Sequence, residues 1–391
     1  MYLKKTVNYY IIQSMNIYFD NAATTMVCEE AATAALDMMR DIYGNPSSSH
    51  HMGRAAAKEL NNARKIIADA VGAPDNEIYF TSGGTESVNW AVLCGVPAHF
   101  RKGNHIITSA IEHSAVLESM KQHEKAGWEV TYLHPDDNGR ITANDFAAAL
   151  RENTVFASIM LVNNETGAVN PIHEFSKEIK KRKLGTILHT DAVQGFGKIP
   201  FTVKSLGVEL LSVSAHKLHG PKGAGALYIK NNTGIHSLLF GGEQEEKKRP
   251  GTEALPAIAG FGAATKIAIQ KQEEALAAVR ELREYIVREL KSRLPGIVII
   301  GNGDSPYLLN ISLPGYKSEV IMNFLDNEGI CVTSGSACRK GKRSRVLEVM
   351  KLKNDIIDGA IRISFSRYSL KKEADIFINT LEKAYNNIIR F

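Results

Sequence analysis

Lys217 lies where a lysine can act as a nucleophile. Residues 210–213 are apolar and typical of a buried β-strand, and Ser214, His216 and Lys217 follow them before a turn rich in glycine and proline. A lysine at the end of a buried strand is poorly solvated, so its amine can lose its proton and attack a carbonyl. An amine for an aldehyde, beside donors for a phosphate, is what a pyridoxal phosphate (PLP) site requires. A surface lysine that ends a strand is the alternative, and this segment alone does not decide between the two.

A glycine-rich turn upstream is a second candidate for phosphate binding. Residues 81–87 read Thr-Ser-Gly-Gly-Thr-Glu-Ser and open a predicted helix. Backbone N–H groups around Gly84 at the start of that helix, together with the Thr85 hydroxyl, suit a phosphate. The turn matches neither the dinucleotide-binding fingerprint nor the P-loop. An ordinary helix cap explains the same residues, so the turn supports a cofactor site only in combination with Lys217.

Polar side chains follow other predicted strands in the same way. The residues directly after five predicted strands are Thr81, Ser109, Asn163, Thr190 and Ser214. Because ligands of open α/β sheets bind at the carboxyl ends of the strands, these ends indicate one convergent site. Strand ends that meet solvent are polar in any case, but that does not explain the particular groups present.

These groups have distinct chemical uses. Asp191 is a candidate buried carboxylate that would keep a pyridine nitrogen protonated and make the ring an electron sink, although aspartate is also a frequent helix N-cap. Asn164 and Gln194 could donate hydrogen bonds to the phenolic oxygen of such a ring. His113 could stack on the ring and shuttle protons, since histidine titrates near neutral pH, but a lone histidine can equally be structural.

Arg362 lies among apolar residues on a predicted strand that reads Ala-Ile-Arg-Ile-Ser. A buried arginine is costly unless it is paired, and a substrate carboxylate is a bidentate partner for it. A structural ion pair explains the same pattern equally well at this stage.

Cys338 is the cysteine whose surroundings favour reactivity. Small residues precede it and the basic run Arg-Lys-Gly-Lys-Arg-Ser-Arg follows it, which indicates an exposed loop and stabilises a thiolate. Cys28 begins a helix, and Cys94 and Cys331 lie in apolar runs, so all three are predicted to pack. Most basic runs are only solvated loops, and docking of an acidic partner at this one is the less favoured interpretation.

The elements that would position these groups alternate between strand and helix. Apolar runs typical of strands alternate with helical patterns from about residue 77 to residue 230, which predicts a mostly parallel α/β sheet. The predicted strands are residues 78–80, 105–108, 130–133, 155–162, 186–189, 210–213 and 226–229. From about residue 254 to residue 294 the pattern is helical, and strands begin again near residue 308. We interpret this second region as a smaller α+β domain that ends in a helix over residues 372–389.

We expect the chain to have four parts. Residues 1–14 are expected to be a disordered or non-native extension, with Met15 as the biological start. Residues 15–26 are expected to lie near the active site and to pack with the small domain. Residues 27–260 would form the large PLP-binding domain, and residues 261–391 the small domain that carries the cysteine loop.

The bulk properties of the 391-residue chain exclude several classes of protein. Its net charge of +5 is too small to indicate direct nucleic acid binding, and no apolar run is long enough to span a membrane. Its four cysteines lack the spacing of metal ligands or of a disulfide framework, so they indicate a reducing, cytoplasmic compartment.

A series of segments, taken in order, resembles the cysteine desulfurases of the class V aminotransferase group (NifS/IscS-like), which are fold-type I PLP enzymes. The matching segments are residues 20–25, 44–48, 81–89, 112–113, 162–167, 191–194, 214–225, 249–253, 334–338 and 362–367. They extend from about residue 18 to the C-terminal helix. The resemblance implies an α/β large domain, with a mostly parallel seven-stranded sheet flanked by helices, and a smaller α+β C-terminal domain.

The same resemblance implies a role for each candidate residue of the cofactor site. Lys217 would hold PLP covalently and move the α-proton of the substrate. Asp191 would pair with the ring nitrogen and Gln194 with the phenolic oxygen, while His113 would stack on the ring and assist proton transfer. Thr252 would reach the phosphate from the neighbouring subunit of a homodimer. The full set of implied cofactor-binding residues is Gly84, Thr85, His113, Asn164, Asp191, Gln194, Ser214, His216, Lys217 and Thr252.

For the substrate, the resemblance implies L-cysteine. Arg362, helped by Asn164, would hold its carboxylate. Cys338 would attack its sulfur and become a persulfide, leaving alanine as the second product. The sulfur would then pass to a protein acceptor such as an iron–sulfur cluster scaffold or a thiolation protein.

Two departures from the family leave the acceptor open. The family often has an arginine shortly after the Gln-Glu of a Gly-Gly-x-Gln-Glu segment, whereas residues 241–245 are followed by Glu-Lys-Lys. The stretch between Cys338 and Val346 is slightly shorter and more basic than in the housekeeping members. The alternative functions are a selenocysteine lyase, another PLP carbon–sulfur lyase, and a scaffold-binding homologue without catalysis. A transaminase is less favoured because it would give Cys338 no role.

Overall fold

The computed structural model describes residues 16–335 and 343–390. The predicted N-terminal extension and Cys338 therefore lie outside the described residues. The chain divides into two compact units. The larger unit comprises Thr25–Asn163 and Val169–Gln272, and the smaller unit comprises Met1–Thr24, Asn164–Ala168 and Glu273–Phe391.

A seven-stranded sheet forms the centre of the larger unit. Its strands are β2 (Ile78–Thr81), β3 (His105–Ser109), β4 (Glu129–Leu133), β5 (Thr154–Ser158), β6 (Ile187–Asp191), β7 (Leu210–Ser214) and β8 (Gly225–Ile229). The order across the sheet is β2-β8-β7-β6-β5-β3-β4. Only β8 runs antiparallel to its neighbours β2 and β7, so the prediction of a mostly parallel seven-stranded sheet is confirmed.

The prediction of a strand over residues 155–162, ending directly before Asn163, is wrong, because β5 ends earlier, at Ser158. Two side chains form hydrogen bonds with the backbone N–H and C=O of Met160, which a neighbouring strand would otherwise bind. Glu112 Oε1 accepts from the Met160 N–H at 2.9 Å, and Asn170 Nδ2 donates to the Met160 carbonyl at 2.8 Å. Met160 therefore has no backbone group left for a neighbouring strand, although the N–H groups of Ile159 and Leu161 still donate to carbonyls of β6.

Helices cover the sheet, and every one of its strands except β4 is buried along its whole length. The helices of the larger unit are α1 (Glu29–Arg40), α2 (His51–Val71), α3 (Gly84–Gly95), α4 (Ser114–Lys125), α5 (Ala143–Ala149), α6 (Ile172–Lys181), α7 (Val203–Leu206) and α8 (Leu255–Gln270). Helix α2 begins where His50 Nδ1 accepts from the Gly53 N–H, and it ends at Gly72, whose φ of 69° suits glycine. Between these ends its buried residues, among them Leu60 and Ile67, recur at helical spacing and form one apolar face.

The smaller unit has its own sheet and core. Its strands are β1 (Ile17–Tyr18), β9 (Val298–Ile300), β10 (Leu308–Ser312), β11 (Ile330–Cys331) and β12 (Ala360–Ser364), and its helices are α9 (Gln272–Arg293), α10 (Ser318–Asn327), α11 (Arg345–Val349), α12 (Asn354–Asp358) and α13 (Lys371–Asn387). Strands β12, β10 and β9 form an antiparallel sheet in that order, and β1 pairs in parallel with β11. Phe19 lies at the centre of the core, with ring centroids 5.4 Å from Phe365 and 5.8 Å from Phe377 in edge-to-face contacts.

None of the helices in the described ranges combines the length and the apolar character that crossing a bilayer requires.

Candidate active site

The carboxyl end of β7 carries three of the predicted residues. Ser214 is the last residue of the strand, and a short 3-10 turn, Ala215–Lys217, follows it. The backbone of this turn is fixed by Thr25, whose N–H and hydroxyl both donate to the His216 carbonyl, at 3.0 and 2.9 Å. Lys217 therefore leaves the sheet from a well-defined backbone position at its carboxyl edge.

The glycine-rich turn after β2 lies beside the same strand end. Because β2 and β7 both pair with β8, Thr81 and Ser214 share the partner Gly225. The approach is close. A Cβ on Gly225 would lie 2.7 Å from the backbone of Gly83, and a Cβ on Gly84 would lie 3.5 Å from Cβ of Ser214. Helix α3 starts at Gly84, so the unpaired N–H groups of its first turn belong to this corner of the sheet.

The Ser214 hydroxyl tests whether these residues fit a phosphate. Its Oγ is buried and has no hydrogen-bond partner within residues 16–335 and 343–390. A buried hydroxyl left without a partner destabilises a fold by about 1–3 kcal/mol. An anion held by the turn around Gly83 and Gly84 would supply the missing acceptor, and Thr85, which is exposed, adds a second hydroxyl at the helix start. The donor set thus fits the phosphate of PLP.

Asp191 is the last residue of β6 and is buried. Its Oδ1 accepts from the Val193 N–H at 2.9 Å. Burial raises the pKa of the Asp191 carboxyl, and positive charge on His113 and Lys217 opposes that rise. These three side chains therefore share one electrostatic environment. A carboxylate in such a place is stabilised by a nearby cation, and a protonated ring nitrogen would be one.

His113 and Gln194 are both held in defined orientations. His113 caps helix α4, with its Nδ1 accepting from the Ala115 N–H at 3.2 Å, so in the neutral ring Nε2 carries the proton. Gln194 is buried, and its Oε1 accepts from Lys198 Nζ at 3.1 Å, which makes its Nε2 the donor end of the amide. Thr85 and His113 line the same cavity, of about 330 Å³.

His216 is neutral at physiological pH. Burial, together with the positive charges of Lys217, Lys222 and Lys198, lowers its pKa to about 4. A neutral imidazole still offers one N–H donor, so His216 can contribute a hydrogen bond to an anion without contributing charge.

In the smaller unit, Arg362 lies on β12 with 2% of its surface exposed. Its Nη1 donates to the Asn164 carbonyl and its Nη2 to Asp20 Oδ1, each at 2.9 Å. The ion pair that the sequence left open is therefore present, and Asn164 takes part through its backbone. The Arg362 Nε has no hydrogen-bond partner among the described residues, which leaves the guanidinium one buried donor. Asp20 was not singled out from the sequence, although it begins one of the matching segments.

Cys338 lies outside the described residues, but the residues that flank its segment are described. Gly335 has a φ of 126°, and a Cβ there would lie 2.8 Å from Glu165 Oε2. The Ser344 hydroxyl donates to the same carboxylate oxygen. Glu165 is buried and thus contacts residues on both sides of the segment. Glu165 was not predicted from the sequence as a site residue, although it directly follows Asn164 in the segment Asn-Asn-Glu-Thr-Gly.

The predicted residues therefore fall into groups. The larger unit gathers most of the cofactor set at one edge of its sheet: Gly84, Thr85, His113, Asp191, Gln194, Ser214, His216 and Lys217. Thr252 belongs to the same unit and is exposed. Asn164 and Arg362 contact each other in the smaller unit.

Comparisons with known proteins identify the family of this chain. The family model described as aminotransferase class-V matches residues 17–377. A cysteine desulfurase IscS of Dictyoglomus turgidum is 42% identical over 371 residues, covering 94% of each chain. A cysteine desulfurase IscS of Methanosarcina thermophila is 41% identical, covering 92% of this chain and 89% of its own. A solved NifS-like protein superposes with a TM-score of 0.91 at 36% identity, covering 96% of this chain and all of its own.

Proposed function

The chain belongs to the aminotransferase class-V family and is a cysteine desulfurase, and on this premise we propose which of its residues perform the reaction. PLP is general to the family. We propose that it binds at the carboxyl ends of β2, β6 and β7, where Lys217 holds it. The buried Ser214 hydroxyl without a partner among the described residues is the observation that supports this assignment most directly.

When bound, PLP would withdraw electron density from the substrate and so weaken its Cβ–S bond. Lys217 supplies the amine that removes and returns the proton on the substrate Cα. Asp191 would hold its negative charge against the ring nitrogen: burial raises the pKa of this carboxyl, so a protonated nitrogen beside it would stabilise the carboxylate. Gln194 would donate through Nε2 to the phenolic oxygen, and His113 would stack on the ring with a proton on Nε2.

Arg362 is proposed to bind the substrate carboxylate. Its guanidinium is buried and already held by Asp20 and the Asn164 carbonyl, so its remaining Nε–H is preorganised for a further acceptor. An arginine fixed by two partners loses little side-chain entropy when a carboxylate binds, which favours affinity and orientation.

Cys338 is proposed to carry out the sulfur transfer. Its thiolate attacks the sulfur of the bound cysteine, and a new S–S bond forms while the substrate Cβ–S bond breaks. The electron pair of that bond remains with carbon, which takes up a proton to become alanine. Cys338 is left as a persulfide, which a protein acceptor then receives.

Assembly and location are also part of this proposal. We propose a homodimer in which Thr252, exposed in the single chain, completes the phosphate site of the neighbouring subunit. We propose that the enzyme works in the cytoplasm, since the spacing of its four cysteines is not that of a disulfide framework. An iron–sulfur cluster scaffold or a thiolation protein would be the sulfur acceptor.

The purified, PLP-loaded protein should convert L-cysteine to alanine and form one persulfide per active site in the absence of a reductant. With excess dithiothreitol, alanine and sulfide should accumulate in equal amounts. Amino-acid analysis and mass spectrometry of the intact protein measure both products. A colourless protein that forms no alanine would contradict the proposal, and turnover of selenocysteine but not cysteine would identify a selenocysteine lyase instead.

The Ser214 hydroxyl offers a test of the phosphate site in particular. Ser214→Ala should raise the dissociation constant for PLP about tenfold to a hundredfold, because one hydrogen bond to the charged phosphate is lost. The apoprotein should be at least as stable to heat as the native one, since the replaced hydroxyl has no partner within the described ranges. Ser212→Ala is the control, because that hydroxyl is also buried but is bonded to His189 at 2.9 Å. An unchanged PLP affinity in Ser214→Ala would contradict this site.

A further inference from the structure

An ion pair lies directly against the glycine-rich turn. Glu86 is in the first turn of α3, and its Oε2 accepts from the Ser82 N–H at 2.8 Å. Arg249 binds the same carboxylate through both Nε, at 2.8 Å, and Nη2, at 3.3 Å. The side chains are 14% and 22% exposed, so solvent screens the pair only in part. The two residues are 163 positions apart, and neither was singled out from the sequence.

Glu86 brings a negative charge to the helix end proposed for the phosphate. Burial alone would raise the pKa of its carboxyl, but the hydrogen bonds from Arg249 and Ser82 outweigh burial and hold the pKa below its ordinary value. Glu86 is therefore ionised at neutral pH. The partial positive charge at the start of a helix stabilises an ionised carboxylate there, but the carboxylate repels a phosphate dianion that binds at the same end.

Arg249 is presented to Glu86 by a segment with a specific backbone shape. Residues 245–247 have φ values of 48°, 55° and 64°, in the left-handed region that side chains with a Cβ rarely adopt. Glu245 fixes this conformation, because its buried carboxylate binds Arg64 at 2.6 and 2.8 Å and accepts from the Phe80 N–H at 2.7 Å. Such strain persists where surrounding contacts impose it, and it marks positions whose geometry matters.

We propose that Arg249 is a positioning residue for the cofactor: it neutralises Glu86 and keeps that carboxylate on the Ser82 N–H, so that the turn offers the phosphate donors and no net negative charge. This inference rests on the proposed binding of PLP at the turn. Neither side chain needs to touch the cofactor. The role is electrostatic, so it depends on the charge of both residues and on the charge of the ligand.

The test titrates PLP and pyridoxal, which lacks the phosphate, into the apoprotein and follows the absorbance of the bound ligand. Arg249→Gln should raise the dissociation constant for PLP about tenfold while changing that for pyridoxal less than twofold. Arg249→Lys, which keeps the charge, should recover most of the loss. Arg293→Gln is the matched control, because that arginine is also partly exposed and pairs with Glu289 at 3.0 Å, in the smaller unit.

The double variant separates an electrostatic role from a structural one. Glu86→Gln alone should bind PLP at least as tightly as the native protein, since the repulsive charge is removed and the amide oxygen can still accept from Ser82. Glu86→Gln combined with Arg249→Gln should bind PLP about as well as the native protein, because the two charges of the pair are removed together. Equal losses for PLP and pyridoxal, or a double variant weaker than Arg249→Gln, would overturn the inference. If the native apoprotein bound no PLP, the proposed function itself would fail, which is a different result.

Discussion

Lys217→Ala should abolish turnover and remove the visible absorbance of the bound cofactor. Lys217 is proposed both to hold PLP and to move the substrate α-proton, so one substitution removes the covalent attachment and the general base together. Loss of a general base alone costs about 10²–10⁴-fold in rate, so the combined loss should exceed about a thousandfold. The spectrum of the reconstituted protein and its rate of alanine formation measure the two effects separately.

A neighbouring lysine provides the control for this substitution. Lys222 is exposed, follows the same turn and adds to the positive charge around His216. Lys222→Ala should therefore keep the spectrum and most of the activity. If Lys217→Ala kept the native spectrum instead, another amine would hold the cofactor and the assignment of Lys217 would be wrong.

The sequence predicted this strand end correctly because its signal is local. The apolar run of β7 ends in small polar residues and a glycine-rich turn, and β6 ends in Asp191 in the same way. Such runs indicate where a buried strand stops, so Lys217 and Asp191 could both be located at the carboxyl edge of the sheet. The prediction for β5 was wrong because Glu112 and Asn170, distant in sequence, take the backbone groups of Met160.

Pairings between distant residues could not be predicted from local patterns. Arg362 and Asp20 are 342 positions apart, and the sequence left a structural ion pair and a substrate carboxylate as equal alternatives. The structure shows the ion pair and also a guanidinium nitrogen without a partner among the described residues, so the two interpretations are compatible. Glu165 was missed for the same reason, since its contacts with Gly335 and Ser344 depend on the folded chain.

Cys338→Ala should leave cofactor binding intact and stop sulfur transfer. The protein should keep the absorbance of bound PLP and still change its spectrum when cysteine is added, because Lys217, Asp191 and Arg362 are unaltered. Formation of persulfide should be lost entirely, and alanine should form at least about a thousandfold more slowly, since the nucleophile for the substrate sulfur is missing.

Cys331 provides the matched control, because it lies in the same unit and precedes Cys338 on the same stretch of chain. Burial raises the pKa of the Cys331 thiol, and the negative charges of Asp326 and Asp20 raise it further, so this thiol stays protonated at neutral pH. Protonated thiols are poor nucleophiles, whereas the basic residues after Cys338 favour its thiolate. Cys331→Ala should therefore retain persulfide formation at close to the native rate. Native sulfide release by Cys338→Ala in the presence of dithiothreitol would show that the sulfur leaves without this cysteine, and the proposed division of roles between Lys217 and Cys338 would be wrong.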